Sequence, residues 1–156
     1  MSTIDTPVSH EREAPQPTPV KVTIYHNDEA RFMPYEDGQL LNAVTSHWLD
    51  VPAGGDPLAI ADWAFRTFNA DLDLLETERH NPGGETTFLA ACVYRLLGHR
   101  SLSVGDVVEI HTRASSQWLA CDRFGWRQIT EPFTAVGEPL SAATVYQHLA
   151  DQRSTR

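Results

Sequence analysis

The sequence is poor in lysine, in cysteine and in positive charge. Lys21 is the only lysine, and 12 basic residues face 21 acidic ones, which leaves a formal net charge of −9. A protein that neutralises many phosphates needs a surplus of cations, so this charge argues against a general nucleic-acid binder. It fits an acidic, solvated surface or a partner with a basic face.

Long apolar runs are also missing. No run approaches the roughly 18 apolar residues that a membrane-spanning helix needs, so no membrane association is expected. The first 19 residues have neither the basic nor the apolar region of a signal peptide. Together these absences predict a cytoplasmic protein.

The two cysteines have neither metal-binding nor redox spacing, which predicts that Cys92 and Cys121 are small buried hydrophobic side chains. A metal site could recruit both of them with His99 and His111. The spacings of 7, 12 and 10 residues between these four match no compact zinc signature. We therefore expect no metal and no cofactor.

A length of 156 residues and an apolar content of 41% are typical of one globular domain. Prolines and mixed charges in residues 1–19 predict a disordered tail, since this segment buries too little apolar surface to offset its ordering entropy. The domain is expected to span residues 20–151, and residues 152–156 are expected to fray.

Strands are predicted first at residues 21–26, which are rich in β-branched and apolar side chains. A second strand at 31–35 would have to lie at a sheet edge, because Pro34 lacks a backbone N–H. Residues 40–51 fit a helix or a strand, and their alternation favours a strand.

Helices are predicted at residues 57–69 and 87–97. Asp56 can cap the first of them, and Pro57 at the first helical position loses no hydrogen bond. Gly98 stands where the second helix needs a left-handed residue. A third helix is expected after Ser141, which would cap it.

Residues 100–129 have the most regular pattern: RSLSVGDVVEI, the polar loop HTRASSQ, and WLACDRFGWRQI. Alternation from Val107 predicts a strand, and turns lead to two further short strands. Gly105 lies in the entry turn, where glycine can take a positive φ. We predict an α+β fold with a small antiparallel sheet, made of the N-terminal strands and the 107–129 meander, packed against two to three helices.

This stretch resembles the YodL-like domain, over about 30 of the 156 residues. The resemblance rests on the Ser-x-Ser-Val-Gly-Asp core at 101–106 and on the tail at 121–126, whereas the loop at 113–117 is longer than the family's usual hairpin. It implies an accessory protein of a plasmid, conjugative element or phage, and it assigns no catalytic residue.

A small hydrolase is one alternative. Its Ser-His-Asp set could combine Ser101 or Ser103 with His99 or His111 and with Asp106. Such a triad is defined by geometry, and the chain has no nucleophile-elbow pattern. The competing interpretation is that the serines and the aspartate cap a turn, so we predict no catalytic residues.

Two glycine pairs, Gly54-Gly55 and Gly83-Gly84, precede predicted helices. Helix N-termini attract anions, but neither pair continues into the Gly-Lys-Ser/Thr end of a phosphate loop. We interpret both pairs as turns, with phosphate binding as the alternative.

Aromatic and basic residues interleave near the end of the stretch, where Trp118, Phe124 and Trp126 stand among Arg123 and Arg127. The aromatic rings could belong to the core, to a protein interface, or to a platform on which single-stranded nucleic acid stacks. The acidic net charge disfavours the last possibility.

Acidic residues recur at 71–78 and at 28–37. Ordered carboxylates could mimic DNA phosphates in an anti-restriction or anti-defence protein, although such runs are more often solvated faces.

We predict a non-enzymatic binding module that recognises a protein partner. DNA mimicry, single-strand binding and hydrolase activity are the alternatives. The predicted working surface combines six residues: Arg100, Ser101, Ser103, Asp106, Phe124 and Trp126.

Overall fold

A computed structural model describes residues 18–51 and 55–141 of the chain. It confirms the α+β class, with a curled sheet packed against helices. The strands are β1 (Thr18–Asn27), β2 (Leu41–Val51), β3 (Val107–His111), β4 (Ser116–Cys121), β5 (Trp126–Ile129), β6 (Ala135–Val136) and β7 (Leu140–Ser141). The helices are α1 (Pro57–Asn69), α2 (Leu72–Thr77) and α3 (Gly84–Leu96).

The sheet has the strand order β5-β4-β3-β1-β2-β6, and β7 also pairs with β2. The predicted meander is confirmed, since β3, β4 and β5 pair in sequence as antiparallel neighbours. The strand predicted at 40–51 is confirmed as β2, which lies antiparallel to β1 with a bulge at Ile24/Tyr25.

Two expectations about the sheet were wrong. The sheet is mixed, because the two-residue strands β6 and β7 run parallel to β2. Residues 31–35 form no strand: Met33 N donates to Ala30 O at 3.2 Å, and Phe32 has a φ of 67°. This backbone turns, so it cannot offer an extended edge for pairing.

The sheet curls because its two ends are joined by a short link. Five strand spacings of about 4.8 Å would put β5 and β6 about 24 Å apart in a flat sheet. The six Cα–Cα steps from Ile129 to Ala135 span at most about 22 Å. Both residues pack against the same buried cluster, which contains Leu41, Val107 and Trp118. The curled sheet therefore encloses this cluster, the smaller of two buried apolar clusters, on the face away from the helices.

The helices cover the other face and bury the larger core. Asp56 caps α1 by accepting from Leu58 N at 3.0 Å, and Pro57 occupies the first turn, as predicted. Ile60, Ala64 and Phe68 then point at the strands. The second predicted helix is α3, which begins at Gly84, three residues earlier than expected, and is preceded by the separate one-and-a-half-turn helix α2.

Several predictions fall wholly or partly outside the described residues. The predicted tail does so except for Thr18 and Pro19, which begin β1. Ser141 belongs to β7, and the helix expected after it lies outside the described residues, as do residues 152–156. Among the described helices, none is long and apolar enough to cross a membrane.

Candidate functional site

The loop between α3 and β3 is held by a buried ion pair. Arg100 donates from both terminal nitrogens to the Asp106 carboxylate, at 2.7 and 2.8 Å, and Asp106 is only 1% exposed. These hydrogen bonds raise the pKa of Arg100. The Asp106 carboxylate also accepts from Asn27 N at 2.9 Å and from Ser103 N at 2.7 Å. The pair therefore ties the α3–β3 loop to the end of β1.

Gly105 completes this structure with a φ of 95°, as its place in the entry turn predicted. A Cβ atom there would lie 2.4 Å from Met33 O, so the loop that follows β1 closes directly on the backbone of Gly105. Two backbone hydrogen bonds tie this turn to Cys121: Gly105 N donates to Cys121 O, and Cys121 N donates to Asp106 O, each at 2.9 Å. Within the Ser-x-Ser-Val-Gly-Asp motif, Ser103, Gly105 and Asp106 thus have structural roles.

The structure does not assemble the hydrolase set. All the donors that the Asp106 carboxylate receives among the described residues come from Arg100 and from backbone N–H groups, none from an imidazole. His111 instead bonds to Ser116 Oγ at 2.7 Å on the surface, and Ser103 Oγ donates to Ser101 O at 3.3 Å. A base and a nucleophile do not meet at this aspartate, as a triad requires.

A cluster of imidazole and phenol rings lies beside the ion pair, between the sheet and α3. The Tyr94 hydroxyl donates to the carbonyl of Arg100, so His26 Nε2 donates to it in turn, at 2.7 Å. His99 packs edge-on against His26, with ring centroids 5.9 Å apart. Burial lowers the pKa of His26 to about 4, despite the nearby Asp106 carboxylate, and burial also lowers the pKa of His99.

His47 is a third imidazole of the interior, on β2. Its Nε2 bonds to Thr45 Oγ1 at 2.8 Å, and its ring packs against Phe68 with centroids 4.9 Å apart. Its Nδ1 is buried without a hydrogen-bond partner among the described residues. Burial lowers the pKa of His47 to about 4, so the ring is neutral at pH 7.

The three aromatic residues near the end of the predicted stretch point in three directions. Trp118 is buried in the cluster that the sheet encloses. Trp126 is half-buried against the helix-side core and donates to Asp62 of α1 at 3.0 Å. Phe124 is 98% exposed at the tip of the β4–β5 turn. They form no common stacking platform, which removes the geometric basis for single-strand binding at this place.

Some carboxylates of the acidic run at 71–78 stabilise the helices around them. Asp71 caps α2, and Glu78 accepts from Arg66 Nη2 with both carboxylate oxygens, each at 2.7 Å. Two of its four carboxylates therefore have a structural role in the helix layer, apart from any mimicry of phosphates.

The glycine pairs meet at one cleft of about 600 Å³, between the end of β2 and the starts of α1 and α3. Gly55, Gly83, Trp63 and Asp50 line it; Gly54 lies outside the described residues. Asp56, which also lines the cleft, already caps α1. Two carboxylates at the cleft would repel a bound anion, which weakens the interpretation of the glycine pairs as a phosphate-binding site.

Two exposed phenylalanine rings lie at the opposite end of the sheet from this cleft, whose own exposed ring is Trp48. Phe32 is 68% exposed and Phe124 is 98% exposed. Their loops touch where Arg123 Nη2 approaches Met33 Sδ at 3.9 Å. We call Phe32, Met33, Arg123 and Phe124 the Phe32 patch. Its surface is apolar apart from one guanidinium.

A third exposed ring flanks this patch. Phe133 is 86% exposed, on the link between β5 and β6. The next residue, Thr134, donates to Gln39 O at 2.7 Å and accepts from Leu41 N at 3.2 Å, so this link borders the loop that carries Phe32. Sequence analysis did not single out Phe32, Met33 or Phe133. The available signal was the aromatic content of two polar, turn-rich segments, FMPYEDG and EPFT.

The predicted working surface is divided between these places. The structure brings Arg100, Ser101, Ser103 and Asp106 together in the hydrogen-bonded loop between α3 and β3. Backbone hydrogen bonds of Cys121 join this loop to the start of the β4–β5 turn, which carries Phe124. Trp126 is directed to α1. Phe124 is the one of the six that the Phe32 patch contains.

Comparisons with protein-family models, with curated proteins and with solved structures found no significant match. The resemblance to the YodL-like domain therefore stays a prediction.

Proposed function

We propose that this chain is a non-enzymatic protein–protein interaction module that binds its partner through the Phe32 patch. The observation that carries the proposal is the conformation of Phe32. This residue is 68% exposed and has a φ of 67°, and it is the only non-glycine residue with a positive φ among those the structure describes. A bulky residue in the left-handed region costs about 1–2 kcal/mol.

Burial does not offset this cost, because most of the ring faces solvent. Glycine or asparagine would suit the third position of the turn better, and both are frequent there. A ring that is held at a cost to stability and presented to water is typical of a binding residue rather than of a packing residue. Aromatic side chains, phenylalanine included, and methionine are also enriched at protein interfaces.

Phe124 supports the same surface from a second loop. Its turn lies between two paired strands, and Arg123 joins it to Met33. Two anchors on loops that are fixed by hydrogen bonds lose little conformational entropy on binding. The ion pair of Arg100 and Asp106 then acts by positioning these loops.

The cellular setting belongs to the same proposal. The resemblance of residues 100–129 to the YodL-like domain supports an accessory protein of a plasmid, conjugative element or phage, acting in the cytoplasm. The net charge of −9 supports a protein partner over nucleic acid.

The test is a nuclease-treated pull-down from the native host with four baits: wild type, Phe32→Gly, Phe124→Ser and Leu58→Ser. Leu58 is an exposed apolar residue at the start of α1, so its variant is the control for loss of apolar surface elsewhere. We expect one protein to be captured by wild type and Leu58→Ser and lost with both phenylalanine variants.

Capture that survives in both phenylalanine variants would overturn the proposed surface. A partner that disappears on nuclease treatment would favour the single-stranded nucleic-acid alternative. Trp126→Ala is a further useful bait, because its indole is directed to Asp62 and its loss should leave capture intact.

A further inference from the structure

We propose that the partner binds the Phe32 patch through an apolar segment flanked by Lys and Arg side chains. This inference rests on the proposed function and specifies the chemistry of the partner. It comes from the charges that surround the Phe32 patch rather than from the patch itself.

The loop that presents Phe32 is acidic. Between β1 and β2 it carries four carboxylates against the single guanidinium of Arg31, and all five of these residues are exposed. The four acidic residues are Asp28, Glu29, Glu36 and Asp37. The local excess is three negative charges, on a segment that also exposes Phe32 and Met33.

Two of these four carboxylates, those of Glu36 and Asp37, are available to a partner. Asp28 lies 3.8 Å from Arg31 and 3.5 Å from Arg100, and Glu29 accepts from Leu40 N at 2.7 Å. In contrast, neither Glu36 nor Asp37 forms an ion pair within the described part of the chain. Neither carboxylate accepts a hydrogen bond among the described residues, whereas the Glu36 backbone bonds to Gln39.

The cations near the patch cancel only part of this charge, and the one within the patch is the exposed guanidinium of Arg123. Arg127 is engaged by Asp122 at 3.2 Å and by the carbonyl of Tyr35. Arg100 is engaged by Asp106. Glu131 adds a further exposed carboxylate on the link that carries Phe133. Complementary charge around an apolar contact steers association and fixes orientation, so the fitting partner surface is basic at its rim.

The test uses a random peptide library displayed on phage as the probe. Selection on the wild-type protein, with counter-selection on Phe32→Gly, retains peptides that need the patch. We expect the enriched peptides to place Lys or Arg on both sides of an apolar core. Enriched peptides with neutral or acidic flanks would overturn the inference and leave the proposed function standing.

Failure of the proposed function gives a different result. If no peptide is enriched on wild type over Phe32→Gly, the patch is not a binding surface, and both proposals fail. The two outcomes are distinguished because the first depends on the sequence of the selected peptides and the second on whether selection succeeds at all.

Affinity measurements with an enriched peptide then test the charges directly. The double variant Glu36→Gln/Asp37→Asn should weaken binding roughly threefold to tenfold at about 50 mM salt, and the loss should fade at about 500 mM. Asp73→Asn/Glu76→Gln on α2 changes the net charge equally and is the matched control. Equal weakening by both double variants would show that net charge alone, and not the loop, attracts the peptide.

Discussion

The guanidinium of Arg100 holds the carboxylate of Asp106 with both terminal nitrogens, at 2.7 and 2.8 Å, across a loop of five intervening residues. The carboxylate is buried, and its two remaining donors are backbone N–H groups of Ser103 and Asn27. One side chain thus closes its own loop, fixes the end of β1, and neutralises a largely buried guanidinium that also lies 3.5 Å from Asp28.

Removing this carboxylate should be costly. Asp106→Ala leaves a mostly buried guanidinium and two backbone donors without their acceptor, so we expect a loss of about 3–5 kcal/mol in the free energy of unfolding. Urea unfolding followed by tryptophan fluorescence measures it. The control is Glu85→Ala, which breaks the exposed bidentate pair with Arg79 and should cost far less, because solvent screens that pair. Similar losses in both variants would contradict the role assigned to Asp106.

Gly105 provides a second test of the same loop. Gly105→Ala introduces a Cβ atom 2.4 Å from Met33 O at a φ of 95°. Gly38 has a φ of 93° and nothing within 4 Å of such an atom, so Gly38→Ala carries the backbone strain alone. We expect a loss of about 1–2 kcal/mol for Gly38→Ala and at least about 3 kcal/mol for Gly105→Ala. Equal losses would show that the loop at 30–33 moves away without cost.

The sequence predicts those elements of the fold whose signals are local. The alternation from Val107 predicted β3, and Asp56 followed by Pro57 predicted the start of α1, because both signals are local. The strands β6 and β7 have two residues each, and their pairing with β2 depends on the curl of the whole sheet, so no local period announces them.

The candidate site was less predictable for a related reason. Phenylalanine has no preference for a positive φ, so nothing at position 32 predicts an exposed ring in that conformation. Trp118 and Trp126 looked alike in sequence, yet they stand on opposite faces of the sheet. The face on which each tryptophan lies follows from the alternation of side chains along β4 and β5. It can be predicted only when the pairing register of these two strands is known.

Phe32 itself should reveal its strain in a stability measurement. Phe32→Gly relieves the left-handed conformation, which offsets the greater entropy that glycine loses on folding, so stability should be unchanged or rise by up to about 1 kcal/mol. Phe133→Gly is the matched control: the ring is also exposed, but φ is not positive, and we expect a loss of about 0.5–1 kcal/mol. A loss as large in Phe32→Gly would mean that the ring stabilises the fold.

Acid should destabilise the protein through its buried imidazoles. His26 and His47 have pKa values lowered by burial to about 4, from an ordinary value of 6.5. The unfolded chain therefore binds more protons than the folded one between pH 6.5 and 4. The stability that neutral imidazoles contribute is fully present above pH 6.5 and is lost as the pH falls towards 4. For the two rings together, the loss should be roughly a few kcal/mol.

Urea unfolding at pH 7, 5.5 and 4.5 measures this loss. His47→Met removes one of the two buried imidazoles and fills the site with an apolar chain of similar length, so its stability should fall less steeply over that range. His111→Gln is the control, because His111 is exposed and its ring bonds to Ser116 Oγ on the surface. The wild-type slope should persist in His111→Gln, and an equal slope in His47→Met would exclude His47 as one of the groups that titrate.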